Sequence, residues 1–192
     1  MNQIPVTNRL TPAAGDAVLN SDLIRDRFGS YHVDVLRRDA DTRVSALSSD
    51  DAGQRICRTF AITRFLTGRE QVDSSVLQQI DEGGSIGATL RRAGIEVDKQ
   101  TLDIRDVPIS QATHAALQPM RLDAPVTLAL HIYTLGIRRD TDAMPFAIIA
   151  ELHHPDFLSS AQLSALFLLS AEQSGLSAEI NALRKDVFQI GT

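Results

Sequence analysis

Two arginines, a glutamate and a glycine-led turn are the features of this sequence that could bind an anion. Arg58 lies in the run 55–65 (R-I-C-R-T-F-A-I-T-R-F), which is typical of a β-strand and would place Arg58 on the same face as Phe60 and Ile62. Because arginine keeps its proton, its burial is costly unless a carboxylate, carbonyl oxygens or an anionic ligand meets it. The pattern therefore predicts a negative group opposite Arg58.

Arg43 is the second cationic candidate, fifteen positions before Arg58. A hairpin turn near residues 51–53 would set the strands of the two arginines side by side, so that both guanidinium groups could converge on one anion. In the alternative interpretation, Arg43 is a solvated strand residue and Arg58 is one partner of a structural ion pair. Composition alone favours this second interpretation.

A glycine-led turn precedes the helix predicted at residues 85–93. The segment G-G-S-I-G at 83–87 would begin that helix with unpaired N–H groups and the positive end of the helix dipole, which bind carboxylates and phosphates. Ser85 is also an ordinary N-cap, and two glycines are ordinary in a turn. The segment predicts either an anion-binding helix start or a plain turn.

Glu151 is the candidate acid. It follows the apolar run F-A-I-I-A at 146–150. A carboxyl group among apolar side chains has a raised pKa unless a cation lies close to it. Glu151 could therefore be the partner of an arginine or a protonated hydrogen-bond donor to a ligand. The third interpretation is a glutamate at a strand end that reaches solvent.

The sequence predicts no metal site and no cofactor. His153 and His154 follow Glu151 closely, but adjacent side chains of an extended chain point in opposite directions, and no further ligand has a recognisable spacing. His131 is interpreted as an ordinary strand residue. Glycine-rich nucleotide-binding motifs and a G-x-S-x-G nucleophile motif are absent from the sequence, and Cys57 is interpreted as a small core residue.

Composition narrows the class of protein. The net charge is −5, the basic residues are dispersed, and the sequence has no Trp and two Tyr, which is a poor composition for binding nucleic acid. The single cysteine excludes an internal disulfide and fits a reducing compartment. Because no segment is typical of a signal peptide or a membrane span, we expect a cytoplasmic protein.

Short strands joined by tight turns, with helices between them, predict a single α+β domain. We expect an antiparallel sheet of about six strands with helices packed on one face. Residues 1–15 would form an N-terminal arm, 16–157 the domain, and 158–192 a helical extension packed on the same domain. The predicted strands cover 31–36, 43–48, 55–65, 96–104, 126–135 and 146–152. The predicted helices cover 16–28, 72–80, 85–93, 109–117, 163–172 and 178–187.

The order of these segments resembles that of chorismate lyase and its relatives, over roughly residues 20–157. In that family a strand with one arginine turns through an acidic, glycine-containing hairpin into a strand with Arg-Thr and apolar residues. A helix start with Ile-Gly and an apolar strand ending in Glu-Leu-x-x-Pro come later. The matching segments here are Arg43, S-D-D-A-G at 49–53, R-T-F-A-I at 58–62, S-I-G at 85–87 and E-L-H-H-P at 151–155.

The resemblance implies a chorismate lyase-like fold and an enzyme that removes pyruvate from chorismate, or a related enolpyruvyl carboxylate, to leave a hydroxybenzoate. It implies that no cofactor is needed. The ligand would contact Arg43, Arg58, Glu151, the Ile86 N–H group and the neighbouring Gly87, with Arg58 and Glu151 in the catalytic roles. The expected partner is therefore a small anionic aromatic or enolpyruvyl molecule.

Two other functions remain open. The same fold forms the effector-binding (UTRA) domain of GntR-type regulators, so the chain could be a non-catalytic protein that binds a small aromatic or sugar-like anion. A stand-alone regulator is not expected, because only a short segment precedes the matching residues. Alternatively the pocket is filled and the C-terminal helices form a dimer interface. We expect a monomer or a homodimer.

Overall fold

The described part of the chain contains six strands in a single antiparallel sheet. The computed structural model describes residues 18–112, 114–122, 125–139, 142–169 and 176–187, so the predicted arm at 1–15 lies outside them. The strands are β1 (His32–Arg38), β2 (Thr42–Asp51), β3 (Gln54–Phe65), β4 (Glu96–Pro108), β5 (Thr127–Arg139) and β6 (Asp142–His153). Their order is β1-β2-β3-β6-β5-β4. The predicted α+β class and six-strand antiparallel sheet are confirmed.

The described helices pack on both faces of the sheet, whereas the sequence predicted one face. They are α1 (Asn20–Phe28), α2 (Ser74–Asp81), α3 (Ile86–Arg92), α4 (His114–Met120), α5 (Ser160–Leu166) and α6 (Ser177–Val187). Helices α4 and α6 share a core with Phe60 and Ile62, while α1, α2, α3 and α5 pack on the opposite face. None of the described helices is long and apolar enough to cross a membrane.

The physical reason for two covered faces lies in β6, next to the middle of the sheet. Its consecutive residues 146–150 are all apolar and buried, so each face of the strand presents apolar side chains. Both faces must then be covered by other elements. A strand with strict alternation of polar and apolar residues would have needed helices on one face.

A β-bulge changes the face on which Arg58 lies. Leu47 pairs with Thr59 and Ser48 pairs with Cys57, so Arg58 is the extra residue of β3. Cys57 therefore joins Phe60 and Ile62 in the core beneath α4 and α6. Arg58 instead lies under α1, with its guanidinium carbon 3.9 Å from the ring centre of Phe28. The predicted placement of Arg58 beside Phe60 and Ile62 is wrong.

Protein groups contact the Arg58 guanidinium on several sides. Its side chain is 2% exposed; Nε donates to Ser49 Oγ at 2.8 Å, and Nη2 lies 3.3 Å from an Asp51 carboxylate oxygen. Asp51 itself is 60% exposed. A hydroxyl, an aromatic face and one half-solvated carboxylate thus compensate the buried charge of Arg58.

We expect Arg58→Ala to lower the free energy of unfolding by about 2–4 kcal/mol, because it removes the cation–π contact and leaves a cavity beneath α1. Urea denaturation measures this change. The control is Arg55→Ala on the same strand, whose half-exposed side chain pairs with Asp34 and should contribute less than about 1 kcal/mol. Equal effects of the two substitutions would contradict a structural role for Arg58.

Candidate functional site

A pocket of about 60 Å³ lies between the sheet, the beginning of α1 and the beginning of α3. Four of the five predicted site residues line it: Arg43, Ile86, Gly87 and Glu151. Arg58 does not line it: the bulge brings Arg58 to the face of the sheet that carries the pocket, but its guanidinium lies against Phe28 at the last turn of α1. The apolar part of the wall comes from Leu19, Val33, Leu47, Ala61, Leu135 and Ile149, and further polar groups come from Asn20, Ser21, Tyr31, Ser45, Thr63, Ser85, Lys99 and Tyr133.

A wider groove of about 870 Å³ opens on the opposite face, along β1, β2 and β3. Its charged side chains largely pair with one another, as Arg55 does with Asp34 and Arg64 with Asp186. Because these charges are paired and partly hydrated, they provide little net charge that could attract a ligand. The smaller pocket is the better candidate because its charged groups are buried and converge on one space.

Arg43 contributes a buried guanidinium to the pocket. The residue is 3% exposed, and β2 places its side chain under the connection between α2 and α3. Nη1 donates to the carbonyl oxygens of Ile80 at 2.8 Å and Gly84 at 2.9 Å, and Nε donates to Ser45 Oγ at 2.8 Å. Burial lowers the pKa of Arg43, but arginine remains charged.

The hydrogen bonds of Arg43 leave one of its donor groups available. Nη2 has no hydrogen-bond partner within the described ranges, and Arg43 forms no ion pair with them. Neutral carbonyl and hydroxyl oxygens hold the guanidinium in place without cancelling its charge. Arg43 can therefore both fix the α2–α3 connection and attract an anion.

Lys99 is a second cation at the pocket, and the sequence analysis missed it. It lies on β4, with Nζ 3.8 Å from the ring centre of Tyr133 and 4.3 Å from that of Phe167. Burial lowers the pKa of Lys99 to about 8, while the nearby charge of Glu151 acts in the opposite direction. The alternation of Val97, Lys99 and Thr101 along one strand face is the signal that could have identified it.

Glu151 forms the floor of the pocket from the middle of the sheet. It is 3% exposed, and its Oε1 accepts hydrogen bonds from Tyr133 at 3.1 Å and from Asn20 at 3.2 Å. Burial raises the pKa of Glu151, and the charge of Lys99 and these two donors oppose that rise. The solvated strand-end interpretation of Glu151 is therefore wrong, since the carboxyl group is enclosed.

Two histidines lie beside Glu151 on the same face of the sheet. His153 Nε2 is 3.7 Å from Glu151 Oε2, and His131 pairs directly with Glu151 across β5 and β6. Burial and the charge of Lys99 lower the pKa of His153 to about 3, and burial lowers that of His131 as well. Both rings are therefore neutral at physiological pH.

The beginning of α3 forms the opposite wall. A Cβ at Gly87 would lie 2.5 Å from a methyl group of Leu19, so the Leu19 side chain would have to move to admit it. Glycine at this position thus lets the beginning of α1 approach α3 and narrow the pocket. Beside it, burial raises the pKa of Tyr31 to about 12, against a hydrogen bond to Ser85, so Tyr31 stays protonated.

The pocket has the electrostatics of an anion-binding site. Arg43 and Lys99 provide two positive charges, and Glu151 is the one acidic residue among the described residues of its wall. Because the pKa of Glu151 is raised, its carboxyl group can also be protonated and donate a hydrogen bond. Apolar side chains fill the rest of the wall, so the pocket suits a small carboxylate with an apolar body.

Comparisons with known proteins identify neighbours by structure alone. No protein-family model matches the chain, and no curated protein matches it. The "possible transcriptional regulator YydK" of Bacillus subtilis is similar over 84% of this chain and 70% of its own, with 10% identity and a TM-score of 0.47. The ligand-binding domain of a "putative GntR-family transcriptional regulator" of Bordetella bronchiseptica is similar over 67% of this chain and 85% of its own, with 12% identity and a TM-score of 0.44. Likeness at this level assigns no function.

We expect the free energy of unfolding of the Glu151→Gln variant, relative to that of the wild-type protein, to increase as the pH rises above about 4.5. The raised pKa means that the folded state binds more protons than the unfolded state above pH 4.5, so the wild-type protein loses stability as the pH rises through the folded pKa. Glutamine keeps the shape and cannot ionise. Urea denaturation of both proteins between pH 4 and 8, in a buffer that contains a metal chelator, measures the difference in unfolding free energy.

The matched control is Glu96→Gln, because Glu96 is exposed and pairs with Arg138 at the surface. Its effect on unfolding should stay below about 1 kcal/mol, because exposed ion pairs contribute little to stability. A flat difference for Glu151→Gln would mean that Lys99, Tyr133 and Asn20 fully compensate the buried carboxylate.

Proposed function

We propose that this protein is a non-catalytic binding protein for a small organic carboxylate. The observation that carries the proposal is that the pocket contains two largely buried cations, Arg43 and Lys99, and neither forms an ion pair with any residue that the structure describes. Two cations against one carboxyl group, that of Glu151, leave a net positive charge in the pocket, and such a charge is costly to bury in the absence of a further anion. A bound carboxylate would remove that cost.

The contacts define the class of ligand. The free Nη2 group of Arg43 and the Lys99 ammonium would bind the carboxylate, and Leu47, Leu135 and Ile149 would contact its apolar part. A volume of about 60 Å³ has room for only a few water-sized groups, since each needs at least about 10–15 Å³. Compact carboxylates of the size of acetate or pyruvate therefore fit, whereas an aromatic acid requires side chains to move.

The chorismate lyase activity implied by the resemblance is the competing function. Among the groups in the wall, a protonated Glu151 could serve as an acid for the leaving oxygen. The pocket is small for chorismate, and Arg58, one of the two residues expected to be catalytic, lies under α1 and outside the wall. We therefore favour binding without catalysis.

Calorimetric titration with acetate, pyruvate, benzoate and 4-hydroxybenzoate at constant ionic strength tests the proposal. We expect saturable binding of the compact carboxylates and none of n-butylammonium, which has the opposite charge. Incubation with chorismate, followed for pyruvate and hydroxybenzoate, forms the second arm. Turnover that Glu151→Gln abolishes would replace the binding proposal with the lyase function.

The role of Lys99 gives the variant test. Lys99→Gln should weaken carboxylate binding by roughly tenfold, because one charge-assisted hydrogen bond contributes about 1.5 kcal/mol. The matched control is Lys185→Gln on α6, whose side chain is exposed. Unchanged affinity in Lys99→Gln, or equal losses in both variants, would contradict a role for Lys99 in binding.

A further inference from the structure

Three buried side chains beneath the pocket converge on one point. His131 lies on β5, and Glu151 and His153 lie two residues apart on β6, so all three share one face of the sheet. They are no more than 3% exposed. One potential ligand atom of each lies within 4.8 Å of the others.

Each of these side chains has one buried polar atom with no hydrogen-bond partner among the residues that the structure describes. They are His131 Nδ1, Glu151 Oε2 and His153 Nε2, and the last two lie 3.7 Å apart. Buried polar atoms in native proteins are nearly always satisfied, so an unpaired group calls for an explanation. Because the three atoms belong to one cluster, a single explanation should account for all of them.

The other polar atoms of the cluster are held by neighbouring residues. Thr101 Oγ1 lies 3.0 Å from His131 Nε2, and Thr59 Oγ1 lies 3.0 Å from His153 Nδ1. When each hydroxyl accepts from its ring N–H, the opposite ring nitrogen keeps a free lone pair that can bind a cation. Tyr133 and Asn20 orient Glu151 through Oε1 in the same way. Such supporting contacts are typical of metal ligands.

A direct hydrogen bond within the cluster does not account for the arrangement. The shortest approach that could provide one, from His153 Nε2 to Glu151 Oε2, is 3.7 Å, which is beyond hydrogen-bonding distance. Neutral imidazoles and a carboxylate are instead the donor set that zinc and related divalent cations prefer.

We propose that His131, Glu151 and His153 bind one divalent transition-metal cation, such as Zn²⁺, at the floor of the pocket. Zinc ligands lie about 2.0–2.1 Å from the ion, which puts two tetrahedral ligand atoms about 3.3 Å apart. The side chains therefore close around the ion by small rotations. Three protein ligands leave at least one position for water or another small ligand, and this site does not depend on the proposed carboxylate binding.

The test uses the full-length, untagged protein after treatment with a chelator. Calorimetric titration with Zn²⁺ gives affinity and stoichiometry, and the visible absorption of added Co²⁺ reports nitrogen and oxygen ligation. We expect one ion per chain and a Co²⁺ spectrum of a low-symmetry site. Absence of saturable binding of either ion would overturn the proposal.

Variants locate the site. His131→Gln and His153→Gln should weaken the binding of Zn²⁺ by roughly 100-fold, while Thr59→Val and Thr101→Val, which leave the ligands in place, should weaken it about 10–100-fold. His154→Gln is the matched control, because His154 is adjacent and buried but its Nδ1 accepts from the Asp156 N–H group. Equal losses in His154→Gln, or full affinity in both His131→Gln and His153→Gln, would overturn the site.

Two further measurements separate this proposal from the previous one. Circular dichroism identifies any variant that fails to fold. If the histidine variants do not fold, the Zn²⁺ affinities of Thr59→Val and Thr101→Val decide whether the proposed site exists. Lys99→Gln should weaken carboxylate binding and leave Zn²⁺ affinity equal or higher, since it removes a nearby positive charge. A loss of Zn²⁺ affinity in Lys99→Gln would count against the proposed ligand set.

Discussion

The burial of the Glu151 carboxyl group is the constraint on which the site depends. A carboxylate in the middle of a sheet loses its hydration, and the protein must replace it with hydrogen-bond donors and positive charge. Asn20 comes from α1, Tyr133 from β5 and Lys99 from β4, so three separate elements meet at one side chain. The same contacts that compensate Glu151 therefore fix the positions of the pocket walls.

Arg43 performs the corresponding task on the opposite wall. Its guanidinium bonds to carbonyl oxygens at the end of α2 and in the turn before α3, which anchors the connection that carries Ile86 and Gly87. Because these oxygens are neutral, and the Asp81 carboxylate acts on Arg43 only from beyond ion-pair distance, Arg43 forms no ion pair with any described carboxylate. One residue thus contributes to the local structure and to the electrostatics of the pocket.

Local patterns in the sequence predict the hairpins, the antiparallel sheet and four of the residues in the pocket wall, because turn residues and strand alternation are encoded over a few positions. They could not predict the bulge that turns Arg58 to the other face, since the extra residue depends on the pairing with β2. The pairing of His131 with Glu151 is equally non-local. Without that register, His131 is an ordinary strand residue, and the histidines near Glu151 lack a companion from another strand.

The position of Arg58 shows how a residue outside the pocket can still affect it. Its guanidinium lies against Phe28 at the end of α1, and the first residue of the same helix, Asn20, donates to Glu151. A helix is stiff over this length because its backbone hydrogen bonds are internal. The contact with Arg58 therefore helps to set the depth at which Asn20 reaches Glu151, so that the two arginines singled out by the sequence support one site by different routes.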